Sequence, residues 1–218
     1  MFDLRNYIII DLSSEIRPGV LKVNGKYLHG NQTRRFELRQ FVYAPDKMLM
    51  NWVETETHIG THVELPAHFT PEGKSSSEMP IKSFLGEAIV LDYTYLKPKE
   101  GRGQPILPSH LVKVKKDDIV LMWSSYNRDE QPYISPEASE CLAQKHVKMV
   151  GVQNIRVEAP DGSIATHVNL LKNEIPLIEG LVNMEQIRKE RLFYIGLPLK
   201  VADMDSSWIR AIALEPRD

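Results

Sequence analysis

The chain has 218 residues, of which 42% are hydrophobic and 26% charged, and its formal net charge is −2. That length and apolar share support one sizeable core, so residues 1–218 are expected to form a single domain. The balance of 27 basic and 29 acidic residues argues against a nucleic-acid or membrane-surface partner, and no apolar run is long enough for a transmembrane helix.

The opening MFDLRNYIIIDLSSEI sets acidic residues around a short apolar run and has no basic n-region. It reads as a folded strand over 7–13 rather than a signal peptide, and a cytoplasmic location is expected. Residues 17–45 are polar and weakly patterned, assignable only as hairpins. Near-continuous apolar runs predict strands buried on both faces over 88–94 and 118–125. Between them, 95–111 is rich in Pro, Gly and Lys and reads as a surface loop. Ser-Pro followed by 3.6-residue periodicity predicts a helix over 135–147, leading into a buried strand over 148–155. The single cysteine, Cys141, falls on the apolar face of that helix with Ala138 and Leu142 and reads as a small buried hydrophobe. The sum is an α/β domain with much sheet and few helices.

The densest chemistry lies in ETHIGTHVELPAHF, residues 56–69, where His58, His62 and His68 fall within eleven positions. Gly60, Pro66 and the β-branched Thr57, Ile59, Thr61 and Val63 argue against a helix. Read as extended, the stretch puts His58, His62 and Glu64 on one face and an almost wholly apolar set on the other. The missing side chain at Gly60 would leave room for a metal or its water, or let the strand bend to bring His58 inward. Pro66 is expected to end regular pairing, so that His68 projects from a turn. Buried charges need partners, and such a set is best joined by a cation. Imidazole with carboxylate suits zinc first and manganese second. Further ligands are sought downstream. His167 sits on or beside the apolar face of a short helix, and Glu179 closes the apolar run IPLI before Gly180. Asp161, in a PDG turn, is read as turn chemistry, and His29, His110 and His146 as ordinary surface or core residues.

HIGTHVELPAHF resembles the signature of the cyclase-like metal-dependent hydrolases, His-x-Gly-Thr-His-x-Asp-x-Pro-x-His, the family of bacterial kynurenine formamidase and isatin hydrolase. IIDLSSEIRPG, DDIVLMWSSY, YISPEASECLAQKHVKMVGVQ, HVNLLKNEIPLIEGLVNMEQI and PLKVADMDSSWIRAIALEP resemble further family segments in the right order, over most of the chain. The resemblance implies a swivelling β/β/α-type mixed sheet and a site for one or two ions, commonly zinc or manganese. His58, His62 and Glu64 would hold the first ion, Glu64, His167 and Glu179 a second, and His68 would donate and accept the proton. It also implies a homodimer or higher even oligomer, for which Tyr27, Phe36, Phe41 and Tyr43 would supply aromatic surface. Three positions depart from the pattern: Glu64 replaces the usual Asp, Gln153 an acid and Arg156 a serine. Arg156 reads equally as a scaffold residue in a salt bridge to Glu158 or another surface acid, or as a guanidinium facing the metal, which would favour an amide substrate bearing a carboxylate.

The expected reaction is hydrolysis of a linear or cyclic amide C–N bond in a small molecule, arylformamidase-like, by metal-activated water with His68 as proton shuttle. Ester or lactone hydrolysis would use the same parts. A catalytically silent metal- or ligand-binding protein is the reading from another class, and a free proton-transferring His68 speaks against it.

Overall fold

The computed structural model describes residues 3–20, 22–23, 26–27, 35–43 and 45–217. Nine strands form its main sheet: β1 (Tyr7–Asp11), β2 (His62–Glu64), β3 (Leu85–Asp92), β4 (Ile119–Trp123), β5 (Met149–Gln153), β6 (Leu177–Glu179), β7 (Arg191–Ile195), β8 (Ser206–Trp208) and β9 (Ile212–Pro216). Their order is β1-β9-β7-β3-β4-β5-β6-β2-β8. The central four, β3 to β6, run parallel, and every pairing outside them is antiparallel.

The parallel strands are apolar on both sides because both sides are covered. Ile89, Leu91, Val120, Met122, Val150 and Val152 pack with Ala138 and Leu142 of helix α2 (Pro136–Gln144) and Leu170 and Leu171 of helix α3 (Ala165–Leu171). Their alternates Ala88, Ile119, Leu121 and Met149 face a second core with Ile10, Leu12, Val63, Ile178, Tyr194 and Ala213. The expected strands over 7–13, 88–94, 118–125 and 148–155 are β1, β3, β4 and β5, with bounds shifted by up to three residues. The expected helix is α2, trimmed at both ends. Ser135 Oγ accepts from Ala138 N at 3.1 Å, and Pro136 opens its first turn. Cys141 packs partly buried against the helix-side core. Within 95–111 the loop carries a short strand, Pro105–Ile106, and a 3-10 turn, Pro108–Leu111. No helix among the described residues is long and apolar enough to cross a membrane.

Chain connectivity forces the sheet to curl. β8 and β9 stand ninth and second in the order, yet only residues 209–211 join them. Three linking residues, four Cα steps, reach about 14 Å, whereas seven inter-strand steps in a flat sheet would span roughly 34 Å. The two ends therefore meet. Leu12 N donates to Ala211 O at 2.8 Å and Val182 N to Leu12 O at 3.1 Å, while Ile209 N donates to Thr61 O at 3.2 Å. Ser13 bridges Leu181 across the same seam.

The described residues of 17–45 pair as antiparallel strands, in keeping with the expected hairpins, but their main partner strand lies beyond 45. Arg35–Tyr43 pairs antiparallel with Met48–Glu54. MLMNWVE is apolar at both odd and even positions, so it carries no alternation from which a half-buried strand could be read. Leu38, Phe41, Val42, Met48, Leu49 and Trp52 of this arm are all exposed. His29 lies outside the described residues.

Gly180 closes the seam with a φ of +71°, and a Cβ there would lie 2.4 Å from Gly60 O. Gly180→Ala combines left-handed strain with a backbone clash, and is expected to cost about 2 kcal/mol or more in urea unfolding. A loss below about 0.5 kcal/mol, the range of an ordinary surface change, would show that the seam relaxes freely.

Candidate metal centre

Of the stretch 56–69, only β2 is regular strand. Residues 57–61 bend and Pro66–Phe69 form a single helical turn, α1. The extended row expected over the whole stretch is thus corrected to two members, His62 and Glu64, with Val63 turned to the core. His58 reaches the site through the bend at Gly60, whose φ is +60°. The space beside Gly60 is not left for an ion, because a Cβ there would meet Ile16 Cγ1 at 2.5 Å. Pro66 ends the pairing as expected, and His68 N caps back onto Leu65 O at 2.8 Å.

β2 lies between β6 and β8, and the register sets what faces what. Glu179 and Trp208 stand opposite His62, and Leu177 and Ser206 opposite Glu64. Cross-strand partners share a face, so Glu179 joins His62 and Glu64. Ligand atoms of these three lie within 4.8 Å of one another, and the same holds for His58, Glu64 and His68. Glu64 belongs to both groups. His58 Nδ1 lies 2.9 Å from Glu64 Oε1, and His167, carried on α3, places Nε2 3.0 Å from Glu64 Oε2 without the alignment of a hydrogen bond. The His58 and His68 rings are 4.3 Å apart. Every histidine and glutamate expected at the site is therefore brought together.

Two residues not singled out in the sequence belong here. Asp205 Oδ2 accepts from His58 Nε2 at 2.9 Å and from His68 Nδ1 at 3.1 Å. Glu158 Oε1 accepts from His167 Nδ1 at 2.6 Å, and its carboxylate also takes the backbone N–H groups of Thr166 and His167 at the start of α3. Arg156, read as either facing the metal or pairing with a surface acid, lines a separate cavity with Arg102, Tyr133 and Asp129, none of them in the cluster. Its nearest ion partner is Asp129, at 3.9 Å. Gln153 is held by its own bonds, accepting from Met184 N and donating to Glu185. Asp161 accepts from Ser163 N, the turn bond expected of it.

The electrostatics describe a site short of positive charge. Burial favours the neutral form of Glu64, but the imidazoles of His167, His58 and His62 gathered round it outweigh that and hold the carboxylate ionised. Burial pulls His167 down, yet Glu158 and Glu64 raise it to about 10. His58 follows the same balance, raised by Glu64 and Asp205. Glu179 is pushed up, first by desolvation and then by the charge of Glu64.

His62 makes the sharpest demand. Its Nδ1 donates to Gly60 O at 3.1 Å, while buried Nε2 has no hydrogen-bond partner and lies 3.7 Å from Glu64 Oε1. A bare imidazole lone pair facing carboxylates is repulsive unless a cation lies between them. A backbone carbonyl holding the other nitrogen is the usual support of a metal-binding histidine. The residues present therefore fit a divalent ion, held by His62, Glu64 and Glu179 and flanked by His58 and His167.

The family model described as "Putative cyclase" matches residues 10–159, more than half of the chain and all of the segment from His58 to His68. The chain belongs to the cyclase family. Among the chain's curated relatives, the kynurenine formamidase of Erythrobacter litoralis is 29% identical over 217 residues, covering 96% of this chain and 95% of its own. That of Salinibacter ruber is 30% identical over 172 residues, covering 74% and 78%. Isatin hydrolase A from Labrenzia aggregata shares the cyclase fold with a TM-score of 0.80 at 20% identity, over 98% of this chain and 95% of that one.

Glu179→Gln tests the charge balance of this cyclase-family site. Without metal, the variant is expected to melt at or above wild type, because the amide removes a like charge beside Glu64. With zinc, wild type should gain about 2.7 kcal/mol at a hundredfold excess over Kd, and the variant clearly less. A metal-free variant that melts well below wild type would show that Glu179 has a structural partner instead.

Proposed function

We propose that this amidohydrolase of the cyclase family cleaves a linear or cyclic amide C–N bond beside the His62–Glu64–Glu179 group, with His68 moving the proton. The observation that carries this is the unpartnered His62 Nε2, buried against two carboxylates, with the imidazole of His68 standing 4.3 Å from that of His58. Zinc, or manganese second, suits a donor set of imidazole and carboxylate. Bound there, such an ion supplies Lewis-acid polarisation of a carbonyl and lowers the pKa of water toward neutrality.

The side chains do the rest. His62, Glu64 and Glu179 would hold the ion, with His58 and His167 beside them, each steadied by a carboxylate on its far nitrogen. His68 is a third exposed and lies on α1 rather than in the buried row. An imidazole so placed can take a proton from water and return it to the leaving nitrogen. On the other side of β2, Trp208 stands opposite His62, and Phe36 packs edge-on against it at 6.0 Å. This aromatic wall suits an aryl amide, in keeping with relatives named formamidases and isatin hydrolases. Arg156, in its separate cavity, gives no support to selection of an acidic amide.

The arm of Arg35–Tyr43 and Met48–Glu54 supports assembly with a second copy. Its two long strands expose apolar side chains on both faces. A symmetric dimer would cover them. Light scattering at micromolar concentration should give twice the 25.0 kDa chain mass, and a 25.0 kDa species would refute the dimer.

The zinc- or manganese-reconstituted protein is expected to hydrolyse a formanilide-type amide and to lose that activity to a chelator. His68→Ala should lower kcat roughly 10²- to 10⁴-fold with metal content nearly unchanged, whereas His62→Ala should lose the metal. Equal metal loss in both variants would make His68 a ligand and overturn the division of roles.

A further inference from the structure

Asp205 stands at the junction of the two halves of the site. Pairing of β8 with β2 places it beside Leu65, whose N–H donates to Asp205 O at 3.0 Å, directly before the turn that carries His68. Its backbone position is thus tied to both strand and turn. Both of its side-chain oxygens are engaged. Oδ1 takes the hydroxyl of Thr57 at 3.1 Å, and Oδ2 takes ring N–H groups from His58 at 2.9 Å and His68 at 3.1 Å. A carboxylate so engaged has little left for an ion.

We propose that Asp205 is a positioning residue that selects the tautomer of His68 and the coordinating nitrogen of His58. A carboxylate can only accept, so the nitrogen facing it must carry the proton. His68 is thereby held with its proton on Nδ1, leaving Nε2 as the nitrogen that meets water or substrate. His58 gives Nε2–H to Asp205 and faces Glu64 with Nδ1, from which a bound ion would displace the proton. One carboxylate thus sets the direction of both rings, and Thr57 fixes the carboxylate itself. The catalytic half of this inference rests on the function proposed above, while the tautomer does not.

The test uses zinc-loaded protein labelled with ¹⁵N-histidine. Side-chain NMR is expected to show His68 as the Nδ1–H tautomer in wild type and as Nε2–H in Asp205→Ala. Asp205→Asn, whose amide oxygen still accepts, should retain Nδ1–H. On a formanilide substrate, Asp205→Ala should lose roughly 10- to 100-fold in kcat, with KM within about twofold and zinc content unchanged, and Asp205→Asn should recover part of the loss. The same His68 tautomer in wild type and Asp205→Ala, or zinc loss in step with activity, would overturn the proposal. A wild type inactive on amides would defeat the functional reading alone, because the tautomer measurement still decides the role of Asp205.

Discussion

An ionised carboxylate enclosed by protein, Glu64, is the constraint on which the rest of the site depends. Only 4% of the residue is exposed, and an uncompensated charge at that depth costs several kcal/mol. His58, His62 and His167 converge on it, and each needs its own support from Asp205, the Gly60 carbonyl or Glu158. The network grows outward from one buried charge. Its inner edge remains unbalanced, with two glutamates and a bare imidazole nitrogen in reach of one another.

The curl of the sheet makes this convergence possible. β2 contributes only His62, Val63 and Glu64, too short a strand to be stable alone. It gains its place by filling the gap between β6 and β8, where the end of the sheet is drawn round by the three-residue link to β9. The site therefore sits at the closing seam. Residues 58–68, 158–179 and 205–208 arrive there from separate parts of the chain, and the same hydrogen bonds that shut the seam aim their side chains. Gly60 and Gly180, back to back with left-handed φ values, let the two backbones come close enough.

Much of this was legible in the sequence, for identifiable reasons. The parallel strands announced themselves because burial on both faces leaves an unbroken apolar run, as in IVLMW. α2 was marked by its Ser-Pro start. The cluster showed because unlike residue types, imidazole and carboxylate, recur at short spacing. The extended row over 56–69 was too regular: Gly60 bends the chain for the sake of Ile16, a partner distant in sequence. Asp205 carries no local mark, because VADMDSSW offers two aspartates in an ordinary polar turn. What separates Asp205 from Asp203 is strand pairing with residues some 140 positions earlier, which no local pattern encodes. Arg156 misled for a related reason. The end of a parallel strand often faces a ligand, but the chain beyond β5 runs beside Tyr133 and carries that side chain to another cavity.

The three-residue length of β2 also bears on how this site can change. Side chains alternate along a strand, so a slip of one residue would turn Val63 outward and carry both His62 and Glu64 into the apolar core. No intermediate placement exists. Substitutions such as Glu for Asp at position 64 adjust reach by a methylene and leave the pattern standing. A single insertion or deletion between Gly60 and Pro66 would dismantle chemistry and packing in one event. The segment is therefore expected to vary in composition but not in length, with lineage-to-lineage differences in size pushed out to the exposed arm at 35–54 and the loop at 95–111.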